Sequence, residues 1–431
     1  MYNVVVAKVF VSPHPDPDVH SLAVGNVLGN TVIVHKDTPN GELGLWFETD
    51  GQLSQEFAEK NNLIRKIDPE TGKNLGGLFD ENRRVRAQKI RGVKSDGFWC
   101  PLSYLDGDVS ELKEHDKFTS FNETPIAQKY ETWRTRAASK AANRGEKALK
   151  KPRVELVAMK RHFDTEQFRT DCWKFKKGDL ISISEKIHAT SQRVANAKVI
   201  YPIQKWSLSW FMEKLGFEVI PKSEYRVLIG TRNVILENNQ GGATYYGNEK
   251  FRYDAIEDFK DKLYKNECLY GEVTYTEATS GNALMFQPTS KTKDKSVIKQ
   301  YGQKMNYTYG TKQGKSEFWV YRITQTNEDG ISVDLTWQQM KSRCEQLGVK
   351  MVPDVVEPFI YDGDEGKLRN LVEELTEGAS TIDPSHIREG VCVRAERYAT
   401  PVVLKSKSFL FRVLEGIAKD DAEYQDIEEV S

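Results

Sequence analysis

Lys186 is the residue whose setting best suits chemistry by a side chain. The segment DLISISEKIHATSQRV alternates apolar and polar residues as a strand does, and it delivers Glu185, Lys186 and His188 into a turn of small residues. Small residues after a strand end would leave the lysine amine accessible at the wall of a pocket. Such an amine attacks an electrophile only when neutral, and the usual lysine pKa of about 10.4 makes that form scarce at neutral pH. Most lysines at strand ends are merely solvated, so the hypothesis depends on which residues accompany Lys186.

Further charged and aromatic residues follow Lys186 in order along the chain. Lys405 and Lys407 lie two residues apart on a predicted strand, so their side chains point to the same face, as joint contact with a phosphate requires. Cations close to Lys186 would disfavour its charged form and would stabilise negative charge that develops on a phosphate. The series comprises Arg232 in GTRN, Glu272 in LYGEVTY, Phe318, Trp319 and Tyr321 in EFWVYRI, Glu389 in REGVCVR, and Lys405 and Lys407 in LKSKS.

Two kinds of region must position these residues. The first hundred residues contain short strand patterns separated by Gly, Pro, Asn and Asp, which predicts a five-stranded OB-like barrel. The region after Pro152 mixes strand and helix patterns, which predicts an α+β domain built on antiparallel sheets. The strand patterns are DLISISEKI, YRVLIGTRNVIL, CLYGEVTY, EFWVYRIT, EGVCVRAE and VVLKSKSFLF, and the helix patterns are WSLSWFMEKLG and TWQQMKSRCEQLG.

A strongly basic stretch separates the two regions. Between Lys129 and Arg153 there are nine basic and two acidic residues with alanines between them, which predicts an exposed helical linker. This linker could contact a nucleic-acid backbone or could serve only as a solubilising connection. The predicted segments are the barrel at 1–125, the basic linker at 126–153, the α+β domain at 154–414 and a short acidic tail at 415–431.

Basic residues also lie beside aromatic residues at the end of the barrel. A groove that follows phosphates and stacks bases needs this combination, although a solvated charged strand beside core aromatics gives the same pattern. The candidate nucleic-acid contacts, which precede Phe98 and Trp99, are Arg83, Arg84, Arg86, Lys89, Arg91 and Lys94.

Composition excludes several classes of protein. Of the 431 residues, 39% are hydrophobic and 29% are charged, with a formal net charge of -1, which is typical of a globular protein. No run approaches the roughly 18 consecutive apolar residues of a membrane span, so we expect a cytoplasmic protein. The five cysteines are scattered without a CxxC pair, which argues against a disulfide framework or a zinc knuckle.

Two further motifs do not support the functions that they suggest. The segment GTKQGKS at 310–316 has three residues between its glycines where a phosphate-binding P-loop has four, and it runs into a predicted strand instead of a helix. The segment SPHPDPDVHS contains His14, Asp16, Asp18 and His20, but its prolines favour a stiff turn over a metal site.

The ordered series resembles the nucleotidyltransferase motifs I, Ia, III, IIIa, IV and V of ATP-dependent RNA ligases. EKIHATS is similar to motif I in its KxHG form, with Lys186 as the lysine. The barrel segments GELG, DENRRVRAQK and GFW resemble the OB-like domain of RNA ligase family 5, so the resemblance covers nearly the whole chain. It implies an OB-like barrel joined to an adenylyltransferase domain. Motif I usually has Gly where this sequence has Ala189, which would cost about 1 kcal/mol if the backbone there needs a positive φ.

The resemblance implies a three-step ligation. ATP would adenylate Lys186, AMP would move to a 5′-phosphate end, and a 3′-hydroxyl would attack to seal the strand. Lys405 and Lys407 would contact the α-phosphate, Tyr321 would stack on adenine, and Glu389 would hold hydrated Mg2+ or Mn2+. The implied substrate is RNA or a nicked duplex with RNA on the 3′-hydroxyl side, and we expect a monomer. The implied ATP-binding residues are Glu185, Lys186, His188, Ser191, Arg232, Glu272 (to the ribose), Tyr321, Glu389, Lys405 and Lys407.

Three alternatives remain open. A DNA ligase or a GTP-using capping guanylyltransferase would share the motifs, but both carry an OB domain after motif V, where this sequence has only the acidic tail. An RNA-binding protein with a silent core would fit Ala189. The segment KSDG at 94–97 also spells the KxDG signature of nucleotidyltransferase lysines, but Lys94 lies far upstream of the other motifs, and we interpret it as a chance match.

Overall fold

A computed structural model describes residues 2–132, 156–201, 203, 207–215, 222–236, 249–287, 289–291, 295–397 and 399–419. Within these residues the fold is mixed α+β with mainly antiparallel sheets, as predicted. Residues 133–153 of the predicted basic linker lie outside the described residues, whereas 126–132 are described and include the strand Ala127–Lys129 instead of a helix. No helix in the described part is long and apolar enough to cross a membrane.

The N-terminal region is built on a six-stranded sheet whose central strand is buried on both faces. Val4 and Val6 of that strand pack into one apolar cluster, while Val5, Ala7 and Val9 pack into another on the opposite face. Because side chains alternate between the two faces of this strand, it contributes to two apolar cores. In spatial order the strands are Gly97–Pro101, Glu42–Glu48, Val4–Pro13, Leu22–Val27 and Asn30–His35, with Lys117–Phe118 also paired to Val4–Pro13.

Shorter elements complete this region. The helix Gln55–Lys60 begins at Ser54, whose hydroxyl accepts a hydrogen bond from the Phe57 N–H. The hairpin 88–95 carries several of the predicted basic residues at the surface. The short strands are Gly51–Leu53 paired with Ala127–Lys129, Lys66–Ile67 with Asn74–Gly76, Gln88–Ile90 with Val93–Ser95, and Ser120–Phe121 with Thr124–Pro125.

Two larger sheets form the region that carries the predicted chemistry. The chain leaves the first sheet at Lys186 and enters the second at Thr190, so Lys186 lies where the two sheets meet. The first sheet has the order Glu166–Gln167, Val402–Lys407, Gly390–Ala395, Leu180–Lys186 and Asp354–Ile360. The second has the order Ile235–Leu236, Ser223–Gly230, Thr190–Ile200, Glu267–Tyr275, Ser316–Thr326 and Ser332–Asp334, with Lys350–Met351 also paired to Ser316–Thr326.

Several helices accompany these sheets. Trp337–Leu347 begins with a capping box between Thr336 and Gln339 and ends at Gly348 with a left-handed φ of 72°, as its sequence TWQQMKSRCEQLG predicts. The other helices are Phe168–Asp171, Leu208–Lys214, Lys250–Asp254, Lys295–Tyr301, Glu365–Thr376 and Phe409–Lys419. A small two-stranded sheet pairs Phe286–Gln287 with Met305–Asn306.

The helix Phe409–Lys419 corrects two predictions. We predicted that SFLF continues a strand, but the strand ends at Lys407 and Phe411 and Leu414 pack a helical face into the core. We also predicted that a tail begins at Glu415, whereas Glu415 is buried within this helix and pairs with Lys407. Residues 420–431 lie outside the described residues.

Candidate active site

A cavity between the two large sheets brings most of the predicted site residues together. Its wall includes residues from both sheets, because Lys186 ends a strand of the first and Ser191 begins a strand of the second. His188 and Glu389 do not belong to the wall and lie behind it. The predicted residues that line the cavity are Glu185, Lys186, Ser191, Arg232, Glu272, Tyr321, Lys405 and Lys407.

Most of the charged residues in the wall of the cavity are cationic. Six Lys or Arg residues and two Glu residues contribute to it, which suits a polyanionic ligand. Lys405 and Lys407 both face the cavity from one strand, as their two-residue spacing predicts. The cationic members are Lys186, Arg232, Arg322, Arg394, Lys405 and Lys407.

Lys186 lies beside a glycine where two neighbouring strands approach each other closely. It pairs in the sheet with Gly390, and its Nζ lies 2.8 Å from the Glu389 Oε1. Gly390 has a φ of 156°, and a Cβ at this position would lie 1.9 Å from the Ser406 carbonyl oxygen. Only glycine lets the strand Gly390–Ala395 approach the strand Val402–Lys407 this closely. Glu389, the residue before Gly390, thereby lies next to Lys186.

Glu389 is fully buried beside two lysines and a histidine. Lys407 Nζ lies 3.3 Å from Oε1, and His188 Nδ1 lies 3.8 Å from Oε2. These are ion-pair distances without hydrogen-bond geometry, since neither carboxylate oxygen accepts a hydrogen bond from the described residues. The carboxylate therefore retains coordination capacity, and a magnesium-type ion that shares one carboxylate with substrate phosphates needs no larger protein cage. Across the described ranges, no group of three His, Cys, Asp or Glu residues could hold a metal alone.

The turn after Lys186 is fixed by aromatic neighbours. The His188 N–H donates to the Tyr309 hydroxyl at 2.7 Å, and the His188 ring meets the rings of Tyr307 and Phe411 edge-on, each with centroids 4.9 Å apart. Ala189 does not have a positive φ. The condition under which alanine would be strained in place of the motif glycine is therefore not met, and Ala189 packs into the core.

The Tyr321 side chain owes its position to a β-bulge. Pairing between its strand and Glu267–Tyr275 passes from Gly271 with Val320 to Tyr270 with Arg322, so Tyr321 is an extra residue. This irregularity lets both Tyr321 and Arg322 line the cavity, while Phe318 and Trp319 are buried in the core. Burial and the charge of Glu272 raise the pKa of Tyr321 above its usual range, which keeps its hydroxyl protonated.

His162 is a wall residue that the sequence analysis missed. Its ring lies 5.1 Å from the Tyr321 ring and 5.8 Å from the Tyr270 ring, and its Nδ1 is 3.4 Å from Arg322 Nη1. Burial and the charge of Arg322 lower the pKa of His162 from 6.5 to about 3. Phe163, Cys392 and Arg394 were missed as well, although Cys392 and Arg394 lie in the segment REGVCVR that the sequence analysis cites for Glu389.

Two predicted ATP contacts have other partners. The Glu185 carboxylate points away to the Thr381 segment and accepts a hydrogen bond from the Thr381 N–H at 2.8 Å, so only the rest of Glu185 can face the cavity. Arg232 faces the cavity but also forms an ion pair with Asp164. Glu185 lines the cavity, and its part in ATP binding stays a prediction.

The six basic residues of the barrel differ in their surroundings. Arg84 is buried, donates to Asp50 and to the Gly416 carbonyl, and has its guanidinium over the Tyr130 ring. Our prediction that Arg84 contacts nucleic acid is therefore corrected, because the group is committed to the interior. Arg83 and Arg86 are half-buried, whereas Lys89, Arg91 and Lys94 are exposed on the hairpin 88–95.

The segments SPHPDPDVHS and GTKQGKS form a turn and the approach to a strand, as predicted. Asp18 N–H donates to the Asp16 carboxylate at 3.0 Å, which confirms the predicted turn at 14–20. The segment 310–316 leads directly into the strand Ser316–Thr326, as predicted. Lys94 is not part of the cavity wall, and its Nζ lies 5.1 Å from the centre of the Phe409 ring.

Comparison with known proteins places this fold among RNA ligases. An RNA ligase of Naegleria gruberi solved with PPi has a TM-score of 0.58 and 15% identity, and the match covers 95% of this chain and 97% of that chain. Variants of that ligase solved with ATP and Mn and with AMP and Mn have TM-scores of 0.56 and 0.57 at 14% identity, each covering 96% of this chain and 98% of theirs. At this identity the likeness is one of fold.

Sequence comparison defines the family. Residues 179–409, which are more than half of the chain, match the family model for RNA ligase. The chain therefore belongs to the RNA ligase family. A search of curated proteins found no significant match to the chain.

Proposed function

We propose that this RNA ligase uses ATP to join a 3′-hydroxyl end to a 5′-phosphate end through a lysyl-AMP at Lys186. The observation that carries the proposal is the position of Lys186 at the end of a strand, facing a cationic cavity together with Lys405 and Lys407. The relatives of known structure that bind ATP or AMP with Mn share this fold. ATP and a divalent metal therefore fit the site.

In the first step the neutral Lys186 amine attacks the α-phosphorus of ATP. A bond forms between Nζ and phosphorus, the bond to the bridging oxygen of the β-phosphate breaks, pyrophosphate leaves, and Nζ gives up one proton to solvent. Lys405 and Lys407 contact the α-phosphate from one face and stabilise the charge that develops there. Glu389 would hold a hydrated Mg2+ or Mn2+ ion, which neutralises phosphate charge when it is bound.

The nucleoside occupies the opposite side of the cavity in this proposal. Tyr321 stacks on adenine, and stacking of a base on an aromatic ring contributes roughly 1–3 kcal/mol to the binding free energy. Glu272, which is paired with Ser191 on the neighbouring strand, binds the ribose. His162 remains neutral beside Tyr321, so it adds no charge to the base side of the cavity.

Two further transfers complete the reaction. An oxygen of the 5′-phosphate end attacks the phosphorus of lysyl-AMP, and the Lys186 amine leaves. The 3′-hydroxyl then attacks the phosphorus of that end, AMP leaves, and a phosphodiester forms. The exposed hairpin residues Lys89, Arg91 and Lys94 would contact the phosphates of the nucleic acid. Lys94 lies beside Phe409, at the start of the helix that follows the strand of Lys405 and Lys407.

Nick-sealing assays test the substrate. The full chain is incubated with Mg2+ or Mn2+, with ATP or GTP, and with nicked duplexes whose 3′-hydroxyl strand is RNA or DNA. We expect sealing with ATP and RNA on the 3′-hydroxyl side, and sealing at least tenfold slower on an all-DNA nick. Equal sealing of all-DNA nicks would favour a DNA ligase, and use of GTP would favour a capping enzyme. Binding of RNA without sealing under any condition would favour a silent core.

A further inference from the structure

A buried carboxylate of the N-terminal barrel holds two arginines of the catalytic region. Asp96, the acidic residue of the KSDG segment, is 4% exposed. Its Oδ1 accepts a hydrogen bond from Arg412 Nη2 at 2.6 Å, and its Oδ2 accepts one from Arg169 Nη1 at 3.0 Å. Its own N–H donates to the Thr31 carbonyl at 2.7 Å, which fixes the residue within the barrel. The segment that we interpreted as a chance match therefore has a contact of its own.

Arg412 connects this carboxylate to the lysines of the cavity. It lies on the helix Phe409–Lys419, three residues before Glu415 and so on the same face of the helix. Glu415 Oε1 lies 3.4 Å from Lys407 Nζ, and Lys407 Nζ lies 3.3 Å from Glu389. Glu389 in turn lies 2.8 Å from Lys186 Nζ. Ion pairs therefore run from Glu415 through Lys407 and Glu389 to the proposed nucleophile, and the backbone of the helix Phe409–Lys419 joins Glu415 to Arg412, which pairs with Asp96.

Burial makes these ion pairs sensitive to one another. The side chains of the series are at most 19% exposed, so solvent and salt screen them weakly. Removal of one partner from a buried pair leaves the other charge uncompensated, and the neighbouring side chains must move to accommodate it. A change at Asp96 is therefore expected to alter the position of Lys407 by way of the helix.

We propose that Asp96 is a positioning residue through which the barrel holds the helix Phe409–Lys419 and Lys407, and thereby sets the rate at which Lys186 attacks ATP. This inference rests on the proposed function, since it assigns a determinant of the first step.

The test compares Asp96→Asn with Lys117→Gln in the full chain. Lys117 forms another contact between the barrel and the catalytic region, a 2.6 Å ion pair with the buried Asp171, which does not involve the helix Phe409–Lys419. In single-turnover transfer of AMP from ATP, we expect Asp96→Asn to be at least tenfold slower with an ATP KM within threefold of wild type. We expect Lys117→Gln to stay within twofold in rate.

A double-mutant cycle tests the route through Arg412. Asp96→Asn combined with Arg412→Gln should be no slower than the slower single variant, because the two residues act through one contact. Asp96→Asn combined with Lys117→Gln should show the product of the two single effects. If Asp96→Asn fails to fold, Arg412→Gln against Arg412→Lys replaces it, and the lysine variant should retain at least a third of the wild-type rate.

A readout without nucleotide separates this inference from the proposed function. The rate at which a small acylating reagent modifies Lys186, followed by peptide mass spectrometry, should change at least threefold in Asp96→Asn and not in Lys117→Gln. Absence of lysyl-AMP in wild type would overturn the proposed function, while the acylation rates would still decide the role of Asp96. Wild-type transfer and acylation rates in a folded Asp96→Asn, or equal slowing by Lys117→Gln, would refute that role.

Discussion

Replacement of His162 by asparagine should remove a specific part of the pH dependence of stability. The ring lies among Phe163, Tyr270 and Tyr321, and Arg322 adds a positive charge beside it. These surroundings lower the pKa of His162 in the folded state, so the folded protein binds this proton more weakly than the unfolded chain. Stability from the neutral ring is thus present above pH 6.5 and is lost progressively as the pH falls toward 3.

The magnitude follows from the two pKa values. With 6.5 in the unfolded chain and about 3 in the folded protein, a fall from pH 7.5 to pH 5.0 costs the folded state on the order of 2 kcal/mol. Asparagine does not titrate, and its side-chain oxygen can replace Nδ1 near Arg322. The lost ring contacts lower the stability of the variant at both pH values and therefore cancel in the comparison.

Urea unfolding of the full chain at the two pH values measures this difference. The free energy of unfolding of the wild type should fall by about 2 kcal/mol more than that of His162→Asn over this interval. The matched control is His20→Asn, which makes the same substitution at an exposed position outside the cavity. Identical slopes for wild type and His162→Asn would show that the ring is protonated as easily in the folded state, and the account of this side of the cavity would be wrong.

Three other substitutions test the site. Tyr321→Leu should raise the ATP KM by roughly tenfold or more in AMP-transfer assays, whereas Tyr321→Phe keeps the ring and should stay near wild type; equal effects would exclude stacking. Gly390→Ala should lower the free energy of unfolding by more than about 2 kcal/mol, because its Cβ would collide with the Ser406 carbonyl, while Gly366→Ala in an open helical position should stay within about 0.5 kcal/mol. Ala189→Gly should leave the rate of AMP transfer within threefold, since the backbone there has no positive φ; a large gain would show strain that the structure lacks.

The parts of the site that follow strand periodicity were predictable from the sequence. Lys405 and Lys407 share a face because side chains alternate along a strand, and both line the cavity. The strand ending at Lys186 was predictable for the same reason. The mixed α+β fold follows from the alternation of strand and helix patterns.

Features that depend on tertiary packing were not predictable. The bulge at Tyr321 is a shift of register between two strands, and the sequence of one strand does not contain it. Arg84 resembles its exposed neighbours in type, but a carboxylate and a carbonyl from distant parts of the chain draw it into the interior. The segment after Lys407 has β-favouring phenylalanines, yet Phe411 and Leu414, three residues apart, pack into the core as one helical face.

The central claim is that Lys186 becomes covalently attached to AMP, and labelling of the protein tests it most directly. Wild type, Lys186→Ala and Lys94→Ala, each first treated with pyrophosphate to remove bound AMP, are incubated with ATP labelled in the α-phosphate and with Mg2+ or Mn2+. We expect a labelled protein band for wild type and for Lys94→Ala and none for Lys186→Ala. Label on Lys186→Ala that is lost in Lys94→Ala would contradict the choice of nucleophile, and the absence of label from every protein would contradict the lysyl-AMP mechanism.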